Sequence, residues 1–277
     1  MRILILGATG FLGSNLFQLA TENKNLTVFG TSRFQHENSN IMQVDVTNKQ
    51  SIRSAIRKIN PEVVIWSLMS FEEETKLINL GLENLLSEIE SAAKLIFLST
   101  DAVFVEGIGG YNETDPIGTL PKKAALADYV NGKYTGENLI LNKHPNHVIL
   151  RTGPLYGNNG DQGIEKRTIQ IIEKIKENQS FDAWTNVYRT FVNVNDLSST
   201  IIELTNIKFN GILHAGPIHK ESYYTFFKKR LEQLGWNNSL LRPTIRSKED
   251  APYLSFDTSL NTQKAHQLLK TNFRTVD

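Results

Sequence analysis

Two residues four positions apart carry the most informative chemical signal in this sequence. Tyr129 and Lys133 lie in a stretch with helical spacing, residues 124–142, so we expect both side chains on one face of a helix. A neutral tyrosine can donate its proton to a carbonyl oxygen while a hydride reaches the carbon, and a neighbouring ammonium lowers the pKa of the phenol. Thr100, after an apolar run, would hydrogen-bond the carbonyl oxygen or the tyrosine. The pattern favours carbonyl reduction, although such a Tyr–Lys pair also occurs on exposed amphipathic helices.

A glycine-rich segment near the start of the chain is typical of a phosphate-binding turn. Three glycines directly follow the apolar run 3–6 and precede a helical pattern at 11–21. They would allow a tight turn, a close approach of the backbone to a pyrophosphate, and packing of the helix on the strand. The helix N-terminus would attract the anion, whereas a glycine turn without a ligand is the alternative. The predicted cofactor contacts in this segment are Gly7, Thr9, Gly10, Phe11, Leu12 and Gly13.

The end of the second predicted strand indicates which dinucleotide would bind. An acidic residue at this place holds the ribose 2′-hydroxyl of NAD, whereas this chain has Thr31, Ser32 and Arg33 there. Hydroxyls and a guanidinium can hold a 2′-phosphate through charge-assisted hydrogen bonds. We therefore predict NADP (NADPH) as the favoured cofactor and leave NAD open. A solvated surface position for Arg33 is the alternative.

The composition excludes several other classes of chemistry. The 277 residues include no cysteine, which excludes disulfides, thiolate metal sites and thiol nucleophiles. The six histidines show no metal-ligand spacing, so we predict no metal site. Thirty basic and 29 acidic residues leave a formal charge of +1, so we predict no nucleic-acid or membrane partner. Because no apolar stretch has the length of a membrane span or the form of a signal peptide, we expect a cytoplasmic protein.

Alternating apolar runs and amphipathic segments would position these residues. We predict strands at 3–6, 26–30, 41–44, 63–66, 95–99, 147–151 and 211–215. We predict helices at 11–21, 49–59, 73–92, 124–142, 164–178, 196–204, 223–234 and 261–269. Strands that alternate with helices and are apolar on both faces form a parallel sheet covered on both sides. The predicted fold class is therefore α/β, with a doubly wound parallel sheet of the Rossmann type.

The regular alternation loosens after Gly153, and the predicted domain organisation follows from that change. Residues 1–153 would form the NAD(P)-binding domain, and 187–216 would return to it. Residues 154–186 and 217–277 would form a small interleaved substrate-binding lobe. No Gly/Ser-rich or Pro-rich linker separates the two parts, so we expect no independent domains.

Together these motifs resemble those of the extended short-chain dehydrogenase/reductases. The G-x-x-G-x-x-G spacing of the turn is similar to theirs and differs from the G-x-G-x-x-G of the usual dehydrogenase fingerprint. Within that group the chain looks most like the dTDP-4-dehydrorhamnose reductase family, and the similarity covers most of its length. The matching segments include S-T-D-A-V-F at 99–104, E-T-D-P at 113–116, Tyr129 with Lys133, Gly136 and Glu137, and F-V-N-V-N-D-L at 191–197.

The resemblance implies roles for particular residues. Thr100, Tyr129 and Lys133 would be the catalytic trio, and Lys133 would also hydrogen-bond the nicotinamide ribose. Asp45 and Val46 would contact the adenine ring, with a helix-capping Asp as the alternative. Further contacts would be Ser67 with the cofactor, and Asp101, Val103, Arg151 and Arg189 with a nucleotide-linked sugar substrate. An ordinary structural position is the alternative for Arg189.

Three hypotheses about function stay open on the sequence alone. The first is an NADPH-dependent reductase of a keto group on a nucleotide-linked sugar. The second is an epimerase that uses tightly held NAD(P); dehydration is disfavoured because Ala102 follows Asp101. The third is a non-catalytic NADP-binding regulatory subunit, which the bulky 67–70 segment beside the expected cofactor favours. The Val-Asn-Gly after Tyr129 also departs from the Gly-x-Ser common in the family. A homodimer is left open.

Overall fold

A computed structural model describes residues 1–160 and 163–276 of the chain. The strands are β1 (Arg2–Leu6), β2 (Thr27–Ser32), β3 (Ile41–Gln43), β4 (Val63–Trp66), β5 (Lys94–Thr100), β6 (His147–Thr152), β7 (Leu155–Tyr156), β8 (Phe181–Trp184), β9 (Tyr188–Arg189), β10 (Val192–Asn193), β11 (Gly211–Ala215), β12 (Glu221–Ser222) and β13 (Leu241–Thr244). The helices are α1 (Phe11–Glu22), α2 (Lys49–Ile59), α3 (Glu74–Lys76), α4 (Glu83–Leu86), α5 (Ala127–Lys143), α6 (Lys166–Lys176), α7 (Val194–Asn206), α8 (Tyr223–Gln233) and α9 (Gln263–Leu268).

Seven of these strands form one parallel sheet in the order β11-β6-β5-β4-β1-β2-β3. The chain starts at β1, winds outward to β3, and then returns to add β4 on the other side of β1. The strand order therefore reverses between β1 and β4, and the loops after their carboxyl ends diverge. Such a reversal opens the crevice in which open α/β sheets bind their ligands. The predicted doubly wound α/β fold is confirmed.

Helices cover both faces of the sheet and bury one apolar core on each. On one face, α1 and α7 place Leu16 and Ile201 against β1 and β4. On the other face, α2 and α5 contribute Ile56 and Ile140, which pack around Trp66. The strands are buried on both sides, which explains why they read as continuous apolar runs instead of alternating ones.

The predicted helix 73–92 is wrong in both length and regularity. The structure has the short α3, a π-helical turn from Leu77 to Leu82, and α4. A Cβ atom at Gly81 would lie 2.8 Å from Val46 Cγ2, so the glycine lets this segment approach the loop after β3. The apolar spacing of the sequence predicted a helix. A π-helix has about one residue more per turn than an α-helix, and over only six residues this difference does not change the apolar spacing enough to be recognised.

The second half of the chain builds a third core beyond the sheet. Its centre includes the stacked rings of Phe191 and Phe226, whose centroids are 3.8 Å apart. Three two-stranded pairs border it: β7 with β10, β8 with β13, and β9 with β12. The sequence predicted none of these strands, because two to four residues carry too little alternation to be recognised. In contrast, α7 packs on α1 and β11 extends the main sheet.

Within residues 1–160 and 163–276, no helix is long and apolar enough to cross a bilayer.

Candidate active site

The glycine turn joins the carboxyl end of β1 to the start of α1. Gly7 has φ +89°, a left-handed conformation that residues with a Cβ atom rarely adopt. A Cβ atom at Gly13 would lie 1.9 Å from the Gly7 carbonyl oxygen, so only glycine allows the helix to approach the strand this closely. The two positions therefore require glycine for the reasons that the sequence suggested.

The N-terminus of α1 has the properties of an anion-binding site. The helix begins after Gly10, which has no side chain to cap the first-turn N–H groups, and its first turn contains no acidic residue. Gly10 is exposed, so the backbone donors can be approached from outside. Unpaired N–H groups and the positive end of the helix dipole suit a pyrophosphate. The residues present therefore fit a dinucleotide.

The end of β2 supports this turn and presents a cation beside it. The Gly7 N–H donates to Thr31 Oγ1 over 3.3 Å, which ties the turn to β2. Ser32 Oγ accepts the N–H of Phe34 over 3.1 Å, and the adjacent Arg33 is exposed. The predicted NADP-selecting pair thus lies next to the glycine turn, with the hydroxyl partly engaged by backbone and the guanidinium facing solvent.

The other predicted cofactor contacts lie at the ends of the neighbouring strands. Asp45 is exposed, and its Oδ1 accepts the N–H and the hydroxyl of Thr47. Asn48, and not Asp45, caps α2 by accepting the N–H of Ser51. Val46 is buried against Gly81. Ser67 donates its hydroxyl proton to the Leu6 carbonyl over 2.7 Å, so it joins β4 to β1 directly below the turn.

Two members of the predicted catalytic trio meet at the carboxyl end of β5. Thr100 is buried, and its hydroxyl caps the 3₁₀ turn from Asp101 to Val103 by accepting the N–H of Ala102. Thr100 lies close enough to Tyr129 of α5 to lower the pKa of its phenol, and the Thr100 hydroxyl donates to Asp101 Oδ1 over 3.2 Å. The ring of Phe71, half exposed, packs on the Tyr129 ring with centroids 5.3 Å apart. A threonine and a phenol are therefore placed to share one carbonyl oxygen.

Lys133, the third member, is held by a partner that the sequence did not reveal. Its Nζ lies 2.9 Å from Glu74 Oε1, and the lysine and glutamate side chains are 2 % and 0 % exposed. The same ammonium donates to the carbonyl oxygens of Leu98 and Leu68 over 3.0 and 3.2 Å. Tyr129 and Lys133 share a face of α5 as predicted, but the charge of the lysine is paired with a buried carboxylate.

Burial, more than the surrounding charges, reverses the expected direction of the Tyr129 pKa. Burial of the hydroxyl raises the pKa above the ordinary tyrosine value, and the negative charges of Glu74 and Asp101 raise it further. Thr100 and the positive charge of Arg167 lower it, but less than burial raises it. The predicted lowering of this pKa is therefore wrong in its net direction, because burial of the phenol outweighs the groups that favour the phenolate.

Asp101 and two arginines form a charged group beside Tyr129. Asp101 is buried, accepts the Thr258 hydroxyl over 2.5 Å, and lies 3.8 Å from the Nε of Arg189. Burial raises the pKa of Asp101, while Arg189 and Arg167 oppose that shift. The guanidinium of Arg189 also donates to backbone carbonyls at 188, 255 and 256. Arg189 is therefore largely engaged within the protein.

Two residues predicted to contact substrate lie away from this crevice. Arg151 is 2 % exposed and forms a buried ion pair with Glu137, with Nη2 2.7 Å from Oε2. Its guanidinium also donates to the Glu113 carbonyl. Val103 is fully buried in a small core with Phe104. These side chains stabilise the interior next to β5 and β6, because the helical turn after β5 directs Val103 inward and the buried Glu137 attracts Arg151.

Glu74 is the site residue that sequence reasoning missed, and Arg167 is a second charged residue that the fold brings to the site. Glu74 lies in the segment 73–92, in which only a regular helix was expected, and its partner Lys133 is 59 positions away in the chain. Arg167 lies in the first turn of α6 and has a buried Nη1 with no hydrogen-bond partner in the described part of the chain. The one sequence signal for Glu74 is Gly132, since a Cβ atom there would lie 2.6 Å from Glu74 Cγ. The described residues contain no cluster of acidic or histidine side chains that could hold a metal ion.

The chain is similar in sequence to proteins of known family. The family model described as the RmlD substrate binding domain matches residues 1–275. A Streptomyces antibioticus protein named probable dTDP-4,6-dihydroxy-2-methyloxan-3-one 4-ketoreductase is 28% identical over 262 residues, which are 88% of this chain and 81% of that protein. The dTDP-4-dehydrorhamnose reductase of Aggregatibacter actinomycetemcomitans is 31% identical over 176 residues, 59% of this chain and 55% of its own.

A solved structure shows the same fold. The dTDP-4-dehydrorhamnose reductase of Bacillus anthracis, in complex with NADP, matches with a TM-score of 0.78 at 22% sequence identity. The match covers 98% of this chain and 95% of that chain. Since the family model spans all but the last two residues, this chain belongs to the RmlD substrate-binding-domain family.

Proposed function

We propose that this chain reduces a keto group on a nucleotide-linked sugar, with NADPH as the hydride donor. The observation that carries the proposal is the proximity of Thr100 and Tyr129 at the carboxyl end of the sheet that also carries the glycine turn. The matched relatives named as a 4-ketoreductase and a dTDP-4-dehydrorhamnose reductase support the same activity. NAD is the second candidate cofactor.

The proposed mechanism uses Tyr129 as the acid. The glycine turn, the N-terminus of α1 and Arg33 would hold NADPH, which when bound would supply the hydride for the carbonyl carbon. The Tyr129 hydroxyl transfers its proton to the carbonyl oxygen, and Thr100 orients both oxygens by hydrogen bonding. The phenol is protonated at neutral pH even at the ordinary tyrosine pKa, which is the form that a reduction needs, and the raised pKa of Tyr129 extends that form to higher pH. Solvent returns the proton to Tyr129 after the product leaves.

Replacement of Arg33 by glutamine should weaken NADPH binding selectively. Loss of a charge-assisted contact with the 2′-phosphate is expected to raise the Kd for NADPH about 10- to 100-fold, and to leave the Kd for NADH nearly unchanged. Titration of both cofactors by calorimetry checks this. Lys24→Gln is the control, because Lys24 is exposed in the loop before β2, at the opposite edge of the sheet. An equal loss for both cofactors would contradict the proposed role of Arg33.

Arg167 is proposed as a contact for an anionic group of the substrate. Its charge acts on both Asp101 and Tyr129, and its Nη1 has no hydrogen-bond partner among the described residues. A buried donor without a partner costs free energy, and a substrate oxygen would satisfy it. A diphosphate between nucleotide and sugar is the part of the proposed substrate that carries negative charge.

Replacement of Arg167 by glutamine should therefore raise KM for the sugar substrate about tenfold or more, with a smaller effect on kcat. KM for NADPH is expected to change little. Steady-state kinetics with one reactant varied at a time separates the two values. Lys166→Gln provides a matched control, since Lys166 is the exposed neighbour on α6. An unchanged KM for the sugar would exclude Arg167 as a substrate contact.

A substrate panel tests the proposed function directly. Keto-sugars linked to thymidine, uridine and guanosine diphosphates would be incubated with NADPH, and consumption of NADPH would be compared with formation of the reduced sugar. One hydride consumed per carbonyl reduced is the expected result. Epimerised sugar without net NADPH consumption would favour the epimerase hypothesis. Binding of NADPH without turnover of any member would favour a regulatory subunit. The cytoplasmic location and a homodimer stay predictions from the sequence.

A further inference from the structure

The ammonium of Lys133 is enclosed by three oxygen atoms. Two are the carbonyl oxygens of Leu68 and Leu98, and the third is the buried Glu74 carboxylate at 2.9 Å. The two carbonyl oxygens accept hydrogen bonds from the ammonium, and the carboxylate adds an ion pair, since Glu74 Oε1 accepts no hydrogen bond among the described residues. Glu74 Oε2 in turn accepts the N–H of Ser70 over 2.5 Å, which fixes the carboxylate to the segment after β4.

Gly132 explains how a carboxylate fits beside α5. A Cβ atom at position 132 would lie 2.6 Å from Glu74 Cγ and 2.8 Å from the Glu74 carbonyl carbon. Any larger residue would therefore push Glu74 away from the helix. The Val-Asn-Gly after Tyr129, which departs from the pattern of the resembling family, has its glycine at the position that Glu74 contacts. Gly132 and Glu74 form one structural unit with Lys133.

We propose that Glu74 is a positioning residue for proton transfer, which holds Lys133 against α5 and offsets the charge of its ammonium one helical turn from Tyr129. The inference rests on the proposed function, in which Tyr129 is the proton donor. A carboxylate between the α3 segment and α5 makes the lysine part of a neutral pair. The pair holds the lysine in place and removes most of its attraction for a phenolate.

The groups that face Tyr129 account for the direction of this effect. Glu74 and Asp101 are negative and disfavour the phenolate, whereas Arg167 and Thr100 favour it. Burial disfavours the charged phenolate more strongly than any of these. Reduction needs the proton on the Tyr129 oxygen and oxidation needs it absent, so Glu74 favours the reductive direction at alkaline pH.

Glu74→Gln keeps the size of the side chain and removes its charge, so it tests the proposal. The ionisation of Tyr129 can be followed by NMR of ring-labelled tyrosine, with Tyr129→Phe to assign its signal. In the native protein the signal should stay that of a neutral phenol to the highest pH at which the fold persists. In Glu74→Gln, ionisation should begin about one pH unit lower or more, since a neighbouring charge has an effect of that size.

Glu73→Gln is the matched control. Glu73 is the preceding residue, is exposed, and pairs at the surface with Lys76 over 2.9 Å. Its replacement should leave the Tyr129 signal unchanged. A folded Glu74→Gln protein in which Tyr129 begins to ionise at the same pH as in the native chain would overturn the proposal. If Glu74→Gln does not fold, Gly132→Ala provides the second test, because it displaces the carboxylate from α5 and should shift ionisation in the same direction.

Kinetics separates this inference from the proposed function. In the Glu74→Gln variant, the alkaline decline of kcat/KM for reduction should move to lower pH by the amount that NMR detects. A shifted NMR signal without keto-sugar reduction by either protein would refute the proposed function and leave the role of Glu74 in place. Reduction by both proteins with identical pH profiles and identical NMR signals would refute the role of Glu74 alone.

Discussion

Replacement of Tyr129 by phenylalanine should lower kcat for reduction about 10²- to 10⁴-fold, the usual contribution of a positioned acid. The change removes one oxygen and keeps the ring that packs on Phe71. The Thr100 hydroxyl keeps both its hydrogen bonds, one accepted from the N–H of Ala102 and one donated to Asp101. The glycine turn lies on a different element, so the Kd for NADPH is expected to change less than about threefold, within the usual context dependence of one lost neutral hydrogen bond.

Single-turnover measurement of NADPH oxidation checks this prediction, since it reports the chemical step and not product release. Tyr134→Phe is the matched control, because Tyr134 lies on the same helix, one residue after Lys133, and is also half-buried. It should retain the native rate. Full turnover by Tyr129→Phe would show that another group protonates the carbonyl oxygen. A large loss of NADPH binding would show that the variant disturbs the cofactor site instead.

Replacement of Arg151 by methionine should destabilise the fold by about 3–5 kcal/mol, because Glu137 would keep a buried charge without its partner. Glu137 is fully buried, and its carboxylate also accepts the hydroxyl of Ser99 on β5. The pair therefore joins α5 to β5 and β6 below the proposed active site. A lower melting temperature, on the order of 10 °C, is the expected result for a chain of this size.

Two further variants separate the destabilisation caused by an unpaired buried charge from that caused by loss of an ion pair or of packing. Lys143→Met breaks a surface pair with Glu83, in which the side chains are 51% and 48% exposed, and should cost less than about 1 kcal/mol. Arg151→Met combined with Glu137→Leu removes both charges and should recover most of the lost stability. If the double variant is as unstable as Arg151→Met alone, lost packing and not the unpaired charge causes the defect.

Much of the fold was predictable because its signals are local. The strands 63–66 and 211–215 and the helix 49–59 have the predicted bounds. Each contains apolar residues at the period of its own secondary structure, and α2 ends at Asn60, which adopts a left-handed conformation before a proline. The π-helical turn at 77–82 and the two-residue strands were not predictable. Their existence depends on contacts with distant segments and not on their own spacing.

The candidate site shows the same contrast between features set by local sequence and features set by contacts between distant segments. The sequence alone determined the glycine turn and the placement of Tyr129 and Lys133 on one helix face, because both follow from short-range backbone geometry. Only the tertiary structure decided which charges surround them. Arg151 is paired with Glu137 in the interior, and Lys133 is paired with Glu74 across two elements. The pKa of a buried group depends on burial and on neighbours within a few ångströms, and the fold brings those neighbours from positions far apart in the chain.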